Sequence, residues 1–310
     1  MKINDFYKKY SFKSVDGSIS GLIDLSQEQL NQLHDVLIGI VDDIMKLCSE
    51  KNLTCFLSGG TALGAIRHKG FIPWDDDVDL NITRESYEKF VPLFRNKYSD
   101  KYWIHTPEDN PEFGLSICRI RKKGTIVKTR EDLIDDSEAG AYVDLFIVEN
   151  VFNNSILRTI QGILSMLTKV CLSCRRYYRD RKIMCKTLEY DKTLQKVSRN
   201  RLIIGFMSSF LSVQRWNKIN NAVFSMCKDN KSEFVSIPAG KWHFFGEMYK
   251  REMFCKMKYM NFEGREFPVC VGMDEYMRIL YGDYYMEIPP EEKREKHMCW
   301  LFDLGDDNNE

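Results

Sequence analysis

The chain has 310 residues, 45 Lys plus Arg against 45 Asp plus Glu, and hence a formal net charge of zero. That length is enough for a large core in one big or two smaller domains. The charge balance gives no global field to recruit nucleic acid, so no nucleic-acid partner is expected. Most of the ten cysteines stand singly in apolar surroundings and read as buried free thiols of a reducing compartment, not as a disulfide framework. Cys171 and Cys174 form the one close pair, without the second pair or the histidines that a zinc site needs.

Residues 1 to 20 are polar and aromatic and read as a surface wrap. Met1 to Tyr10 is charged and lacks an apolar centre, so no signal peptide is expected. Ser26 to Gln29 reads as a capping box. Leu30, Leu33, Leu37, Ile40, Ile44 and Leu47 then recur three or four apart, which predicts one buried helix face. Thr54 to Leu57 reads as a short buried strand. Gly59 and Gly60 let the backbone turn sharply and approach a ligand closely. Ala62 to Arg67 reads as one or two helical turns, whose free N–H groups can face an anion.

Phe71 to Trp74 brings the chain back, and Asp77 to Ile82 reads as a second strand. Side chains two apart on a strand share a face and are separated by about 6.6 Å. Asp75, Asp77 and Asp79 therefore line one side if the strand begins that early, while Val78 and Leu80 point into a core. Carboxylates so close repel unless a cation lies between them. Mg²⁺ (or Mn²⁺) takes hard oxygen ligands, typically one or two carboxylates plus substrate phosphates. On this reading the glycine turn holds phosphate and the acids hold the metal.

Thr83 can cap a helix to about Asn96, with Tyr87, Phe90, Val91 and Phe94 on its buried face. Strands are expected over 102–106, 115–120 and 125–128. The loop 130–140, with Glu131, Asp132, Asp135, Asp136 and Glu138, reads as a solvated segment. Ala141 to Val148 is apolar on both faces and reads as a central strand. Its Asp144 is costly to bury unless it pairs with a core arginine or binds a metal.

After Asn150 the composition changes. Residues 155–178 and 201–227 are apolar and basic and read as helices of a second, helical part, joined by a charged connection. No run of roughly 18 uncharged apolar residues occurs, so no spanning helix is expected. Arg158, Lys169, Arg175, Arg176 and Arg179 make the first of these helices a candidate for peripheral contact with an anionic membrane surface. From 234 the pattern is mixed again. It predicts a strand and turn at Ser236, a strand over Met253–Tyr259, a hairpin around Glu263-Gly264 and a short helix over Met273–Tyr281. Residues 303–310 form an acidic tail.

Gly59-Gly60-Thr61, Arg67-His68-x-Gly70-Phe71-Ile72-Pro73-Trp74 and Asp75-Asp76-Asp77-Val78-Asp79 resemble the signature of the LicD family. Those proteins are phosphocholine transferases of bacterial surface polysaccharides. They are related to fukutin and fukutin-related protein within the nucleotidyltransferase superfamily. The resemblance covers 25–150 well and 259–297 recognisably, through Tyr281-Gly282-Asp283-Tyr284, the proline pair after it and a late histidine. Cys270 stands where family members often carry proline.

The resemblance implies an α+β fold, a nucleotidyltransferase-like mixed sheet flanked by helices with an added helical part. It implies a catalytic core over 1–150, a helical insertion over 151–233, and an α+β segment over 234–310 packing back on the core. The implied reaction is transfer of a phosphoalcohol, phosphocholine first, from a CDP-alcohol donor. The implied acceptor is a hydroxyl of a cell-surface glycan or teichoic-acid precursor, often lipid-linked, and CMP is released. Asp77 and Asp79 are then the metal ligands, with Asp75 a further one, and Asp144 is the third acid of the set. Ser58, Gly59, Gly60, Thr61, Arg67 and His68 are the implied phosphate contacts. A cytosolic donor and a lipid-linked acceptor imply a cytoplasmic protein, peripheral at the inner membrane face. Two other readings stay open: a nucleotidyltransferase that uses a nucleoside triphosphate and releases pyrophosphate, and a non-enzymatic ligand-binding protein of the same fold.

Overall fold

The computed structural model describes residues 25–129, 138–181, 192–291, 294 and 299–305. The expectations for residues 1–20, for the acidic stretch 130–137, for most of the charged connection after Arg179 and for 306–310 lie outside the described residues.

The elements run α1 (Gln27–Glu50), β1 (Cys55–Leu57), α2 (Gly59–Arg67), β2 (Asp79–Thr83), α3 (Arg84–Tyr98), β3 (Tyr102–His105), β4 (Cys118–Lys122), β5 (Ile126–Thr129) and β6 (Tyr142–Val151). They continue with α4 (Ser155–Arg179), α5 (Lys192–Met207), α6 (Val213–Phe224), β7 (Phe234–Ser236), α7 (His243–Gly246), β8 (Met248–Lys250), α8 (Arg251–Phe254), β9 (Met257–Phe262), β10 (Arg265–Cys270), α9 (Met273–Tyr281) and β11 (Cys299–Asp303). Among the described residues, one compact unit takes 25–104, 119–148 and 249–305, and a second takes 105–118 and 149–248. The boundary expected at 150 falls beside a division of the units, whereas the expected 234–310 segment is divided between them after 248.

The first unit is built on a mixed sheet in the order β1-β2-β6-β4-β3. β1 lies antiparallel to β2, and β2 lies parallel to β6 with Asp79 opposite Asp144. Phe56, Leu57, Leu80, Ile82, Leu145 and Ile147 are buried, which is why these runs are nearly continuous in apolar residues. Helix α1 opens on the expected capping box: Ser26 Oγ accepts from the Gln29 N–H while the Gln29 side chain accepts from the Ser26 N–H. Thr83 caps α3 by accepting from the Ser86 N–H. The architecture is α+β.

Three local expectations shift. Strand β2 begins at Asp79, so Asp75 and Asp77 precede it and strand alternation does not align them. Helix α2 begins at Gly59 rather than Ala62, so both glycines belong to its first turn. The start of the expected Met253–Tyr259 strand is instead the end of α8, and β9 follows from Met257. The hairpin itself is present: Glu263 and Gly264 have φ of 52° and 71°, the left-handed pair that a two-residue turn between β9 and β10 requires.

In the second unit α4 packs on α5 and α6 through Gln161, Ser165, Thr168, Leu172 and Tyr177, all buried. The basic residues of α4 turn inward. Arg158 lies over the Phe234 ring at 4.7 Å, Arg175 Nε donates to the Leu211 carbonyl at 3.2 Å, and Arg179 donates to the Glu112 carbonyl. Lys169 Nζ donates to the carbonyls of Pro238 at 3.0 Å and Ala239 at 2.8 Å, and burial pushes its amine down to about 7. The side chains that face out are Ile156, Leu157, Ile160, Ile163, Leu164 and Leu167, joined from α5 and its end by Phe206, Met207 and Phe210. The exposed face is therefore apolar, not basic as expected. By length and composition alone α4 is apolar enough to cross a membrane, and its polar residues are bonded inside the unit. The described cysteines form no disulfide with one another and are mostly buried, Cys174 among them, with Cys171 half-buried.

Candidate active site

The site forms where β1 hands over to α2. Ser58 is extended at the helix start, and Gly59 takes φ of +49°, a conformation that side-chain-bearing residues rarely adopt. A Cβ at Gly59 would stand 3.1 Å from Asp79 Oδ2, and one at Gly60 would stand 2.9 Å from Asp75 Oδ2. The same two positions lie 3.8 Å and 4.0 Å from the Tyr281 hydroxyl. Two carboxylate oxygens thus stand close against the first turn of α2, with the Tyr281 phenol beside them, and a side chain at either glycine would push the carboxylates aside.

The backbone around this turn is clamped. Asp79 donates its N–H to Thr61 Oγ1 at 2.9 Å, and the Asp79 carbonyl accepts from the Ser58 N–H at 2.9 Å. The first helical bond is donated by Ala62 to the Ser58 carbonyl, so the N–H groups of Gly60 and Thr61 precede the helical ladder and stand at its positive end. The Gly59 N–H is used differently: it donates to the Tyr276 hydroxyl at 3.0 Å. Ser58 Oγ is buried, 2.9 Å from that same hydroxyl and 3.0 Å from Asn81 Oδ1. Of the residues expected to meet phosphate, Ser58 and Gly59 are therefore turned to an internal network, and Gly60 and Thr61 lie at the helix mouth.

Asp75 is held from two sides. The His34 ring donates its Nε2–H to the Asp75 carbonyl at 2.7 Å and stacks on Phe71 at 3.8 Å. The Phe71 N–H donates to Glu263 Oε1 at 2.9 Å, which ties the loop before the acids to the hairpin turn. Asp144 is 8% exposed and forms a bidentate pair with Arg119, Nε to Oδ1 at 2.7 Å and Nη2 to Oδ2 at 2.8 Å. Of the two solutions for a buried Asp144, the core arginine is present.

Arg67 and His68 end α2, about 12 Å along the axis from Gly59. Arg67 donates Nε to His68 Nε2 at 2.9 Å and Nη1 to the carbonyls of Tyr285 and Glu287, each at 3.2 Å. Burial lowers the Arg67 pKa, opposed by Tyr281 and Asp75. Burial, then the Arg67 charge, lowers that of His68, which suits a neutral ring accepting from Arg67.

Among the described residues no three His, Cys, Asp or Glu side chains already converge on a metal position. The donor set fits Mg²⁺ or Mn²⁺ nonetheless: hard carboxylate oxygens of Asp75 and Asp79 face one helix mouth, and such ions complete their shell with phosphate and water.

Tyr276, Asn81 and His34 carry no pattern that singles them out, while Tyr281 and Glu263 stand out only in the carboxyl-terminal signature and the hairpin turn. Tyr276 sits on the buried stripe Met273, Tyr276, Met277 and Leu280, so periodicity marks it as core. Arg119 left a usable signal, since Arg119 and Arg121 alternate with Cys118 and Ile120 in one strand. Tyr276→Phe is expected to cost about 1–3 kcal/mol, because buried Ser58 Oγ, the Gly59 N–H and Asn81 lose a shared partner. Urea unfolding checks this; an unchanged midpoint would mean that the network carries no stability.

The lipopolysaccharide cholinephosphotransferase LicD of Haemophilus influenzae is 28% identical over 279 residues, 84% of this chain and 93% of that protein. Shorter stretches match Rickettsia typhi protein RT0683, 36% identical over 62 residues, 19% of this chain and 20% of that one. Rickettsia prowazekii protein RP689 is 41% identical over 61 residues, 19% of this chain and 23% of that one. Residues 52–154, which hold the glycine turn, the aspartates, Arg119 and Asp144, match the LicD/FKTN/FKRP nucleotidyltransferase domain.

Proposed function

We propose that the chain is a transferase that moves phosphocholine from CDP-choline to a hydroxyl of lipopolysaccharide or a similar cell-surface glycan precursor, releasing CMP. The observation that carries this reading is the convergence of Asp75 and Asp79 on the Gly59-Gly60 turn. The relative that spans most of the chain is a cholinephosphotransferase by name.

Asp75 and Asp79, with Asp77 beside them, would hold Mg²⁺ or Mn²⁺. When bound, such an ion neutralises the donor diphosphate and the charge on the departing CMP. Gly60 and Thr61 present backbone N–H groups at a helix N-terminus, where an anionic phosphate is favoured. Gly59 and Gly60, lacking Cβ atoms, let that phosphate approach the backbone. Thr61 and Ser58 keep the Asp79 backbone fixed, so its carboxylate does not reorganise on binding. Arg67 and His68 are proposed to meet the donor from the far end of α2. The acceptor hydroxyl attacks the β-phosphorus and gives its proton to a carboxylate of the cluster, the bond from that phosphorus to the bridging oxygen breaks, and CMP carries the bridging oxygen away.

The test offers the purified protein Mg²⁺ and CDP-choline, CDP-ribitol or CDP-glycerol with a glycan acceptor. CMP released with CDP-choline is the expected outcome. Pyrophosphate released from a nucleoside triphosphate would replace this reading with a nucleotidyltransferase. No turnover with any donor would leave a ligand-binding protein.

A lipid-linked acceptor requires a place on the protein that meets the bilayer. The proposed place is the apolar face of α4 and the end of α5, with Ile156 69% and Phe210 74% exposed. Because the α4 cations are bonded inward, association is expected to depend only weakly on salt. Ile160→Glu with Ile163→Glu should abolish vesicle pelleting while turnover on a short soluble acceptor persists. Binding that survives this change, or that salt removes, would count against the apolar face.

A further inference from the structure

We propose that Arg119 is the resident counter-ion of Asp144, exchangeable with a divalent ion as the charge partner of that carboxylate. The inference rests on the reading that the aspartates bind a divalent metal, and it concerns what the chain does with its third acid. Asp144 stands opposite Asp79 on the adjacent parallel strand, and neighbouring strands are about 4.8 Å apart. Two carboxylates at that spacing repel, and burial raises the cost.

The fold answers from the other side. Strand β4 lies next to β6, and its Arg119 clamps both oxygens of Asp144. The Arg119 guanidinium is itself packed, 4% exposed and 4.0 Å from the centre of the Tyr142 ring. The Asp144 N–H donates to the Val78 carbonyl at 3.0 Å, which fixes the strand beside Asp79. A charge row of Arg119, Asp144 and Asp79 thus crosses three neighbouring strands.

Each carboxylate oxygen offers more than one lone pair, so the arginine fork holds Asp144 without blocking every acceptor site. The fork holds the carboxylate in place before metal arrives. It also leaves a fixed positive charge beside the metal position, which weakens metal binding. A purely structural arginine and a counter-ion arginine therefore differ in sign. Loss of a structural arginine disorders Asp144 and weakens metal binding. Loss of a counter-ion invites the metal to take its place.

The probe is Mn²⁺ alone, without donor or acceptor, read by titration calorimetry and by Tm. Arg119→Gln is expected to lower Tm by roughly 5–10 °C in chelator. Millimolar Mn²⁺ should restore most of that loss, and Mn²⁺ should bind roughly tenfold more tightly than to the wild type. Arg119→Lys, which keeps the charge but not the fork, should shift both readings the same way by less, and serves if Arg119→Gln does not fold. Arg119→Gln with Asp144→Asn should fold without metal and lose the Mn²⁺-dependent gain in Tm. Unchanged or weaker Mn²⁺ binding by the arginine variants, with no recovery of Tm, would overturn the proposal and leave Arg119 as a plain core pair. Failure of the wild type and of every variant to bind Mn²⁺ would overturn the metal reading beneath it.

Discussion

Asp79→Asn is expected to lower CMP release by roughly a hundredfold or more, the usual effect of removing one preorganised electrostatic contact from a transition state. The substitution keeps the shape of the side chain beside Gly59 and touches neither backbone clamp, the N–H to Thr61 nor the carbonyl to Ser58. Folding should survive. Tm should hold or rise, because Asp144 stands opposite Asp79 on the neighbouring strand and one like charge is removed. Turnover at the wild-type rate in this variant would take Asp79 out of the mechanism.

Asp144→Ala is expected to be the most destabilising of the acid substitutions, by about 3–5 kcal/mol, since it leaves the buried Arg119 guanidinium without its carboxylate. Chemical denaturation reads this directly. Removing both partners in Arg119→Met with Asp144→Ala should return much of the loss, because the cost lies in the uncompensated charge and not in the missing contact. A single Asp144→Ala variant as stable as the wild type would show that the pair is solvated in solution. The consequence for activity assays is practical: inactivity of Asp144→Ala cannot be assigned to chemistry until its folding has been measured. Asp144→Asn, which still offers Arg119 an oxygen, is the cleaner probe.

Much of the first unit was legible because its signals are local. The Ser26 capping box, the α1 periodicity, the Thr83 cap and the Glu263-Gly264 turn each depend on residues a few positions apart. The acid cluster was legible as chemistry but not as geometry. Alternation along a strand would have aligned Asp75 with Asp79, yet β2 starts only at Asp79. The Asp75 side chain reaches Gly60 because the loop before it is held by His34 and Glu263. Those partners are 41 and 192 residues away from the groups they bind, and no spacing rule reports such distances. Tyr276 is the same case, meeting Ser58 across 218 residues.

The second unit taught the opposite lesson. The basic and apolar residues of α4 spell an amphipathic helix, and its cations, expected to meet an anionic surface, lie on the inner face. Long cationic side chains reached in to carbonyls and rings, leaving isoleucine and leucine outside. Periodicity locates two faces on a helix; it does not say which one the rest of the unit covers.

The central claim is that the metal-dependent acid cluster directs attack on the outer phosphorus of a CDP-alcohol. The most direct measurement uses CDP-choline radiolabelled at its β-phosphate, with Mg²⁺, the purified chain and a lipopolysaccharide oligosaccharide acceptor. The account predicts that the label moves to the acceptor together with choline, that unlabelled CMP appears in equal amount, and that a chelator or Asp79→Asn stops both. Label that leaves with the nucleotide, or transfer that continues unchanged in chelator and in Asp79→Asn, would contradict it.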